Sequence, residues 1–254
     1  MTEISQPFLL DLARSVGRDV RGTLAGDLGT QSLNDLVDEV YAFATGVAEE
    51  ATASVPEAKR RLPVCRAGCD SCCHVHAVFV TPAEALRISA YLRTSLDPLG
   101  LTRLRARIEA LAPQVAEMSL EERAKARLPC PLLDESTGQC TVHPVRPLLC
   151  RGYNSCDLGA CLRMYESGDT RTPPPGNVEH AAVHKYVFAG LVLGAGRDRD
   201  SGPLELIHAL RTALADLDAE ARWLAGESVF QFADTRIARE RTPEWRAFVE
   251  AETT

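Results

Sequence analysis

Nine cysteines all fall between residues 65 and 161, at Cys65, Cys69, Cys72 and Cys73, then Cys130, Cys140 and Cys150, then Cys156 and Cys161. An odd number, crowded into one segment of a chain expected to stay in the cytosol, is a poor disulfide framework and a good set of thiolate metal ligands. In Cys65-Arg-Ala-Gly-Cys69-Asp-Ser-Cys72-Cys73 four thiols lie within nine residues, and Gly68 supplies the backbone freedom to fold a loop around an ion. Neighbouring side chains point to opposite faces of an extended segment, or diverge by about a hundred degrees around a helix. One small tetrahedral ion therefore does not readily take both Cys72 and Cys73, and two metal positions or one multinuclear cluster suit them better. In the second stretch, Pro129 and Pro131 bracket Cys130 and hold it extended, which lowers the entropy lost on capture of its sulfur.

The expected ligands are Cys69, Cys72, Cys73, Cys130, Cys140 and Cys150, followed by Cys65 and Cys161; Cys156 is the spare, a small buried hydrophobe as an isolated cysteine usually is. Either an iron-sulfur cluster or Zn2+ accepts four thiolates, and either leaves a net charge of about −2 per four-sulfur site. Arg66, Arg146 and Arg151 can offset it and donate N–H to sulfur. His74 and His76 adjoin the first loop as possible ligands or supporting donors, on one side of an extended segment. His180 and His184 share a helix face but lack the glutamate of a HExxH hydrolase, and read as core or surface histidines.

These residues resemble the YkgJ-type cysteine-cluster family, described as zinc- or iron-chelating and recognised by a CxxCxxCC run followed by C-P-x-L, C-x-[IV]-Y-x-x-R-P and C-R. The counterparts here are Cys65 to Cys73, Cys130-Pro131-Leu132-Leu133, Cys140-Thr141-Val142-His143 with Arg146-Pro147, and Cys150-Arg151, while Thr81-Pro82-Ala83-Glu84-Ala85-Leu86-Arg87-Ile88 resembles the family's T-P-x-E-A-x-R-I helix start. The chain departs from that pattern in its CxxxC first gap and in His143, which replaces a tyrosine. The resemblance implies a metal centre and little about chemistry. Flagellin lysine N-methylases have a similar cysteine pattern, and Cys65, Cys69 and Cys72 also match the CxxxCxxC of radical S-adenosylmethionine enzymes, so an iron-sulfur-dependent enzyme is one alternative and a structural zinc interaction module another.

The elements that must position these thiols read as helices. Residues 8–60 are mostly helical, with Leu33, Leu36, Val37, Val40, Tyr41 and Ala44 on one face. Thr81, Pro82 and Glu84 sign a helix over 82–95, and Ser119 with Glu122 signs another short one. Between them residues 101–118 are helical, with a kink or break at Pro113. Residues 128–147 read as loop, 157–166 as a short helix, and 167–177 as a stiff proline-rich link. Helices over 178–193 and 203–225 follow, separated by a turn at 197–200. Gly190, Gly194 and Gly196 read as helix packing and termination rather than a nucleotide loop.

The expected fold is mainly α, with helices packed around an irregular cysteine-rich metal-binding core. Residues 1–62 form an N-terminal helical region, 63–167 the core and 168–254 a C-terminal helical region, together one compact unit. The 254 residues are 45% hydrophobic and 25% charged, enough for a real core. A formal charge of −7 argues against nucleic acid or anionic lipid as partners, and no apolar run is long enough to span a membrane. Metal ions are the partners that can be read, and the cytoplasm is the expected compartment.

Overall fold

A computed structural model describes residues 4–26, 32–196, 199–230, 235–237, 239 and 247. Among them are helices α1 (Gln6–Ala25), α2 (Leu33–Ser54), α3 (Ser71–Val75), α4 (Pro82–Ser95), α5 (Pro98–Val115), α6 (Leu120–Ala126), α7 (Leu148–Gly152), α8 (Leu158–Ser167), α9 (Val178–Ala195), α10 (Leu206–Ala215) and α11 (Ala219–Leu224). Four two-residue strands, β1 (Phe79–Val80), β2 (Leu133–Asp134), β3 (Gln139–Cys140) and β4 (Leu204–Glu205), form two antiparallel ladders, β1 with β4 and β2 with β3. The protein is thus mainly α, and no helix among the described residues is long and apolar enough to cross a membrane.

The helix starts follow from local chemistry. Thr81 and Glu84 form a reciprocal capping box at α4 with Pro82 at the first position, and Ser119 with Glu122 does the same at α6. All six apolar residues expected on the inner face of α2 are buried. The break expected at Pro113 is not there: α5 runs through it to Val115, and Ala116 N–H still bonds Ala112 O, since a proline removes only its own ladder donor. The helix expected over 203–225 is instead β4, α10 and α11. Its first residues pair with β1, Glu205 caps α10 through the N–H groups of Ile207 and His208, and Asp216 turns extended.

One continuous core runs from Leu9 in α1 through α2, α4, α5, α9 and α10 to Trp223 and Phe230. Its closest approach is between α1 and α9. A Cβ on Gly190 would lie 2.6 Å from Val16 Cβ, and one on Gly194 would lie 2.5 Å from Val20 Cβ, while Gly196 ends the helix at φ 75°. The glycines therefore serve packing and termination, as expected. Replacing Gly194 by valine should destabilise the fold by roughly 1–3 kcal/mol through overpacking, read as a lower urea midpoint with an unchanged slope; a change under a few tenths would show that the two helices can part freely.

Candidate metal centre

The two cysteine stretches are drawn together by backbone contacts. Gly68 and Gly138 both have positive φ, 82° and 67°, and a Cβ on Gly138 would lie 2.9 Å from Gly68 O, so the two turns pack directly on one another. Cys130 N–H donates to Cys73 O at 2.8 Å, tying the second stretch to α3. The 128–147 segment, expected as loop, contains the β2–β3 hairpin, in which Leu133 pairs with Cys140, and a 3-10 turn at His143–Val145. Asp134 holds the hairpin tip by accepting from Ser136 and Thr137. Cys150 then sits in α7, whose first residue, Leu148, donates its N–H to Glu84 Oε1 at 2.8 Å. Val64 N–H binds Ser155 O at 2.8 Å, and Cys65 Sγ accepts from Ser155 N–H at 3.4 Å. Cys161 is buried on α8, which packs on α3.

Two overlapping sets of sulfurs raise one another's pKa values. Burial pushes the Cys150 thiol well above its ordinary value, and the sulfurs of Cys130, Cys72 and Cys140 add to that rise. Burial pushes Cys130 up to about 12. Cys140 is raised first by burial and also by Cys72. On the other side, burial raises Cys69, assisted by Cys65, Cys72 and Cys161. Cys72 is raised chiefly by hydrogen bonding with the side chain of Cys73, its neighbour in α3, and also by burial. Cys156 is raised by burial and neighbours Cys65 alone among the sulfurs acting on it. All nine cysteines are free thiols.

Raised thiol values have a direct thermodynamic consequence for metal-free protein. Below the ordinary value of 9.0 the thiols are protonated in both folded and unfolded chains. As pH rises past 9 the unfolded chain loses those protons first, so stability falls, by roughly 1 kcal/mol for each strongly shifted thiol at pH 10. Urea unfolding of chelated protein between pH 7 and 10 reads this; a flat profile would contradict the burial described.

Arginines and histidines frame the sulfurs. Arg123, absent from the expected set, is buried in α6 near Cys130 and Glu205, and its Nη1 donates to His74 O at 3.3 Å. Arg146 acts on both Cys140 and Cys150. Arg151 donates to Arg146 O and Pro144 O and lies 4.5 Å from the Tyr41 ring centroid. Arg66 is exposed. The histidines do not share an extended segment, because α3 carries His74 and the chain extends only at His76. His74 pairs with Asp70 at 3.3 Å. His76 packs on Tyr153 with centroids 4.4 Å apart, and burial brings its pKa down to about 4. His143 is exposed overall, and partial desolvation of its ring together with Arg146 and Arg151 lowers its pKa. His184 is buried against Gly152, while His180 contacts Arg151 O at 3.1 Å, a structural role for both.

Buried polar atoms without a partner concentrate here: His76 Nε2, Arg123 Nε and Arg146 Nε. Two orphaned cationic donors beside clustered thiols fit an anionic metal-thiolate group. Among the described residues no three Cys, His, Asp or Glu side chains are drawn together as a ready-made ion site. Spacing had flagged the thiols and Arg146, whereas nothing in the local sequence separated Arg123 or Tyr153 from other surface-type residues.

Residues 64–166 match the family CxxCxxCC, described as "Putative zinc- or iron-chelating domain". No curated protein and no solved structure matches the chain.

Proposed function

We propose, from the premise that residues 64–166 constitute a CxxCxxCC zinc- or iron-chelating domain, that the chain holds metal through two four-sulfur groups. Cys72, Cys130, Cys140 and Cys150 make one group; Cys65, Cys69 and Cys161, with Cys73 as the fourth sulfur by count, make the other. The observation that carries this reading is the backbone contact between the two cysteine stretches, Cys130 N–H to Cys73 O at 2.8 Å with Gly138 packed on Gly68, which joins segments at least 57 positions apart in sequence. Each thiol would give its proton to solvent as its metal–sulfur bond forms, and the loops would tighten around the ion. Zinc in a closed tetrathiolate supplies stability, whereas an iron-sulfur cluster supplies electron transfer or redox sensing. The protein's own residues bind and orient: α3 presents Cys72 and Cys73, the hairpin presents Cys140, and Glu84 fixes the start of the helix bearing Cys150. The radical S-adenosylmethionine alternative draws no support from the two short ladders among the described residues, which lack the strand–helix alternation of a barrel.

Anaerobic purification followed by metal analysis and visible spectroscopy tests this. Broad absorption that bleaches on reduction would identify iron-sulfur, and colourless protein with stoichiometric zinc would identify a closed structural site. Protein that takes up neither metal, with all nine thiols reacting freely while it stays folded, would refute the proposal.

A further inference from the structure

Arg123 and Arg146 lie beside the sulfurs and Arg151 beside Arg146, and the acceptors that Arg123 and Arg151 have there are neutral backbone carbonyls. Arg123 is 2% exposed, and its Nε–H finds no acceptor. Glu205 lies within its field, but Glu205 Oε2 is occupied by the N–H groups of Ile207 and His208 and by His208 Nδ1. Arg146 Nε is likewise buried and unpartnered, with like-charged Arg151 beside it. Arginine remains protonated under all ordinary conditions, so these donors cannot be relieved by losing a proton. A thiolate of a metal centre beside them would supply the missing acceptor for each Nε–H.

We infer that Arg123 and Arg146 are positioning and charge-compensating residues for a thiolate-rich, net-negative metal centre, Arg123 facing Cys130 and Arg146 facing Cys140 and Cys150. This rests on the metal-centre reading and extends it. The group that fits is one whose thiolates outnumber the charge of its metal, so that sulfur retains lone pairs to accept N–H. A neutral site with mixed nitrogen and sulfur ligands would offer both guanidinium groups weaker acceptors. The device also makes metal-free and metal-bound proteins respond in opposite directions. In the metal-free chain each arginine has a buried Nε without an acceptor; with metal bound that N–H gains a partner in the centre.

Cobalt(II) is the probe, because its sulfur-to-metal charge-transfer band reports electron density on the thiolates. Wild type, Arg123→Met, Arg146→Met and Arg146→Lys are titrated with cobalt(II) against a competing chelator, and the metal-free forms are unfolded in urea. Each methionine variant is expected to bind roughly 10–100-fold more weakly, with its charge-transfer band moved to longer wavelength. Its metal-free urea midpoint should be equal to or higher than wild type. Arg146→Lys, which keeps the charge without the guanidinium geometry, should recover part of the affinity and little of the band shift. Affinity within twofold and an unmoved band in both methionine variants would overturn the inference while leaving the metal centre standing. A metal-free midpoint that falls in step with affinity would also overturn it, as a purely structural role predicts that fall. Failure of wild type itself to take up cobalt would remove the metal-centre reading and this inference together.

Discussion

Replacing Cys72 by serine is expected to remove more bound metal than replacement of any other single cysteine. Cys72 is the sulfur that acts on Cys69 in one group and on Cys140 and Cys150 in the other, so its loss touches both. A serine hydroxyl is a hard, weakly acidic oxygen that substitutes poorly for a soft thiolate. Outer-shell substitutions around metal sites typically cost about 10–100-fold in affinity, and loss of a ligand shared between neighbourhoods should exceed that. Metal content per chain and chelator competition read the effect, with Cys156→Ser as the comparison. Its sulfur neighbours Cys65 and lies outside both groups, so it should retain near-normal metal content. Equal metal content in the two variants would mean that Cys72 holds no special place, and the two-group arrangement would be lost.

The second large effect concerns a carboxylate that does not touch sulfur. Glu84 is fully buried, and both its oxygens are engaged. Oε1 accepts from Tyr41 O–H at 3.2 Å and Leu148 N–H at 2.8 Å, and Oε2 accepts from Thr81 N–H at 2.9 Å and Thr81 O–H at 3.2 Å. Burial raises its pKa, and these four donors pull it back down. Glu84→Ala would leave Tyr41 O–H and the N–H groups of Leu148 and Thr81 buried without acceptors, at about 1–3 kcal/mol each. A total loss near 3–5 kcal/mol is expected in urea unfolding, with Glu84→Gln retaining a substantial part. Because Leu148 begins the helix that carries Cys150, metal affinity should fall along with stability. A loss below about 1 kcal/mol for the alanine variant would show that the inner end of α4 tolerates unpaired donors, contrary to its burial.

The helical scaffold was legible in advance wherever a local rule governs. A capping box acts through residues three apart, so Thr81 with Glu84 and Ser119 with Glu122 announced α4 and α6 before any tertiary contact was considered. The three-and-four spacing of apolar residues likewise declared the inner face of α2, and Gly190 with Gly194 pointed to a close helix crossing. Short elements were less readable. α3, α7 and the β2–β3 hairpin are two to five residues long and sit in segments dense in proline, glycine and cysteine. Such pieces have little intrinsic stability and form because neighbours fix them. The split of the expected 203–225 helix has the same origin, since Leu204 and Glu205 pair with a strand more than a hundred residues earlier.

For the candidate site, residue type and spacing along the chain were enough to mark which cysteines could be ligands, because thiol chemistry and loop length are properties of short segments. That the two cysteine stretches meet at all is decided by the packing of Gly138 on Gly68 and the bond from Cys130 N–H to Cys73 O, contacts that no local pattern encodes. The same holds for Arg123 and for the four-donor environment of Glu84. Charge, burial and the presence or absence of an acceptor are properties of a three-dimensional neighbourhood. They come into being only when α2, α3, α4, α6 and α7 close around the same volume, and with them comes any reason for a buried cation to wait beside a thiol.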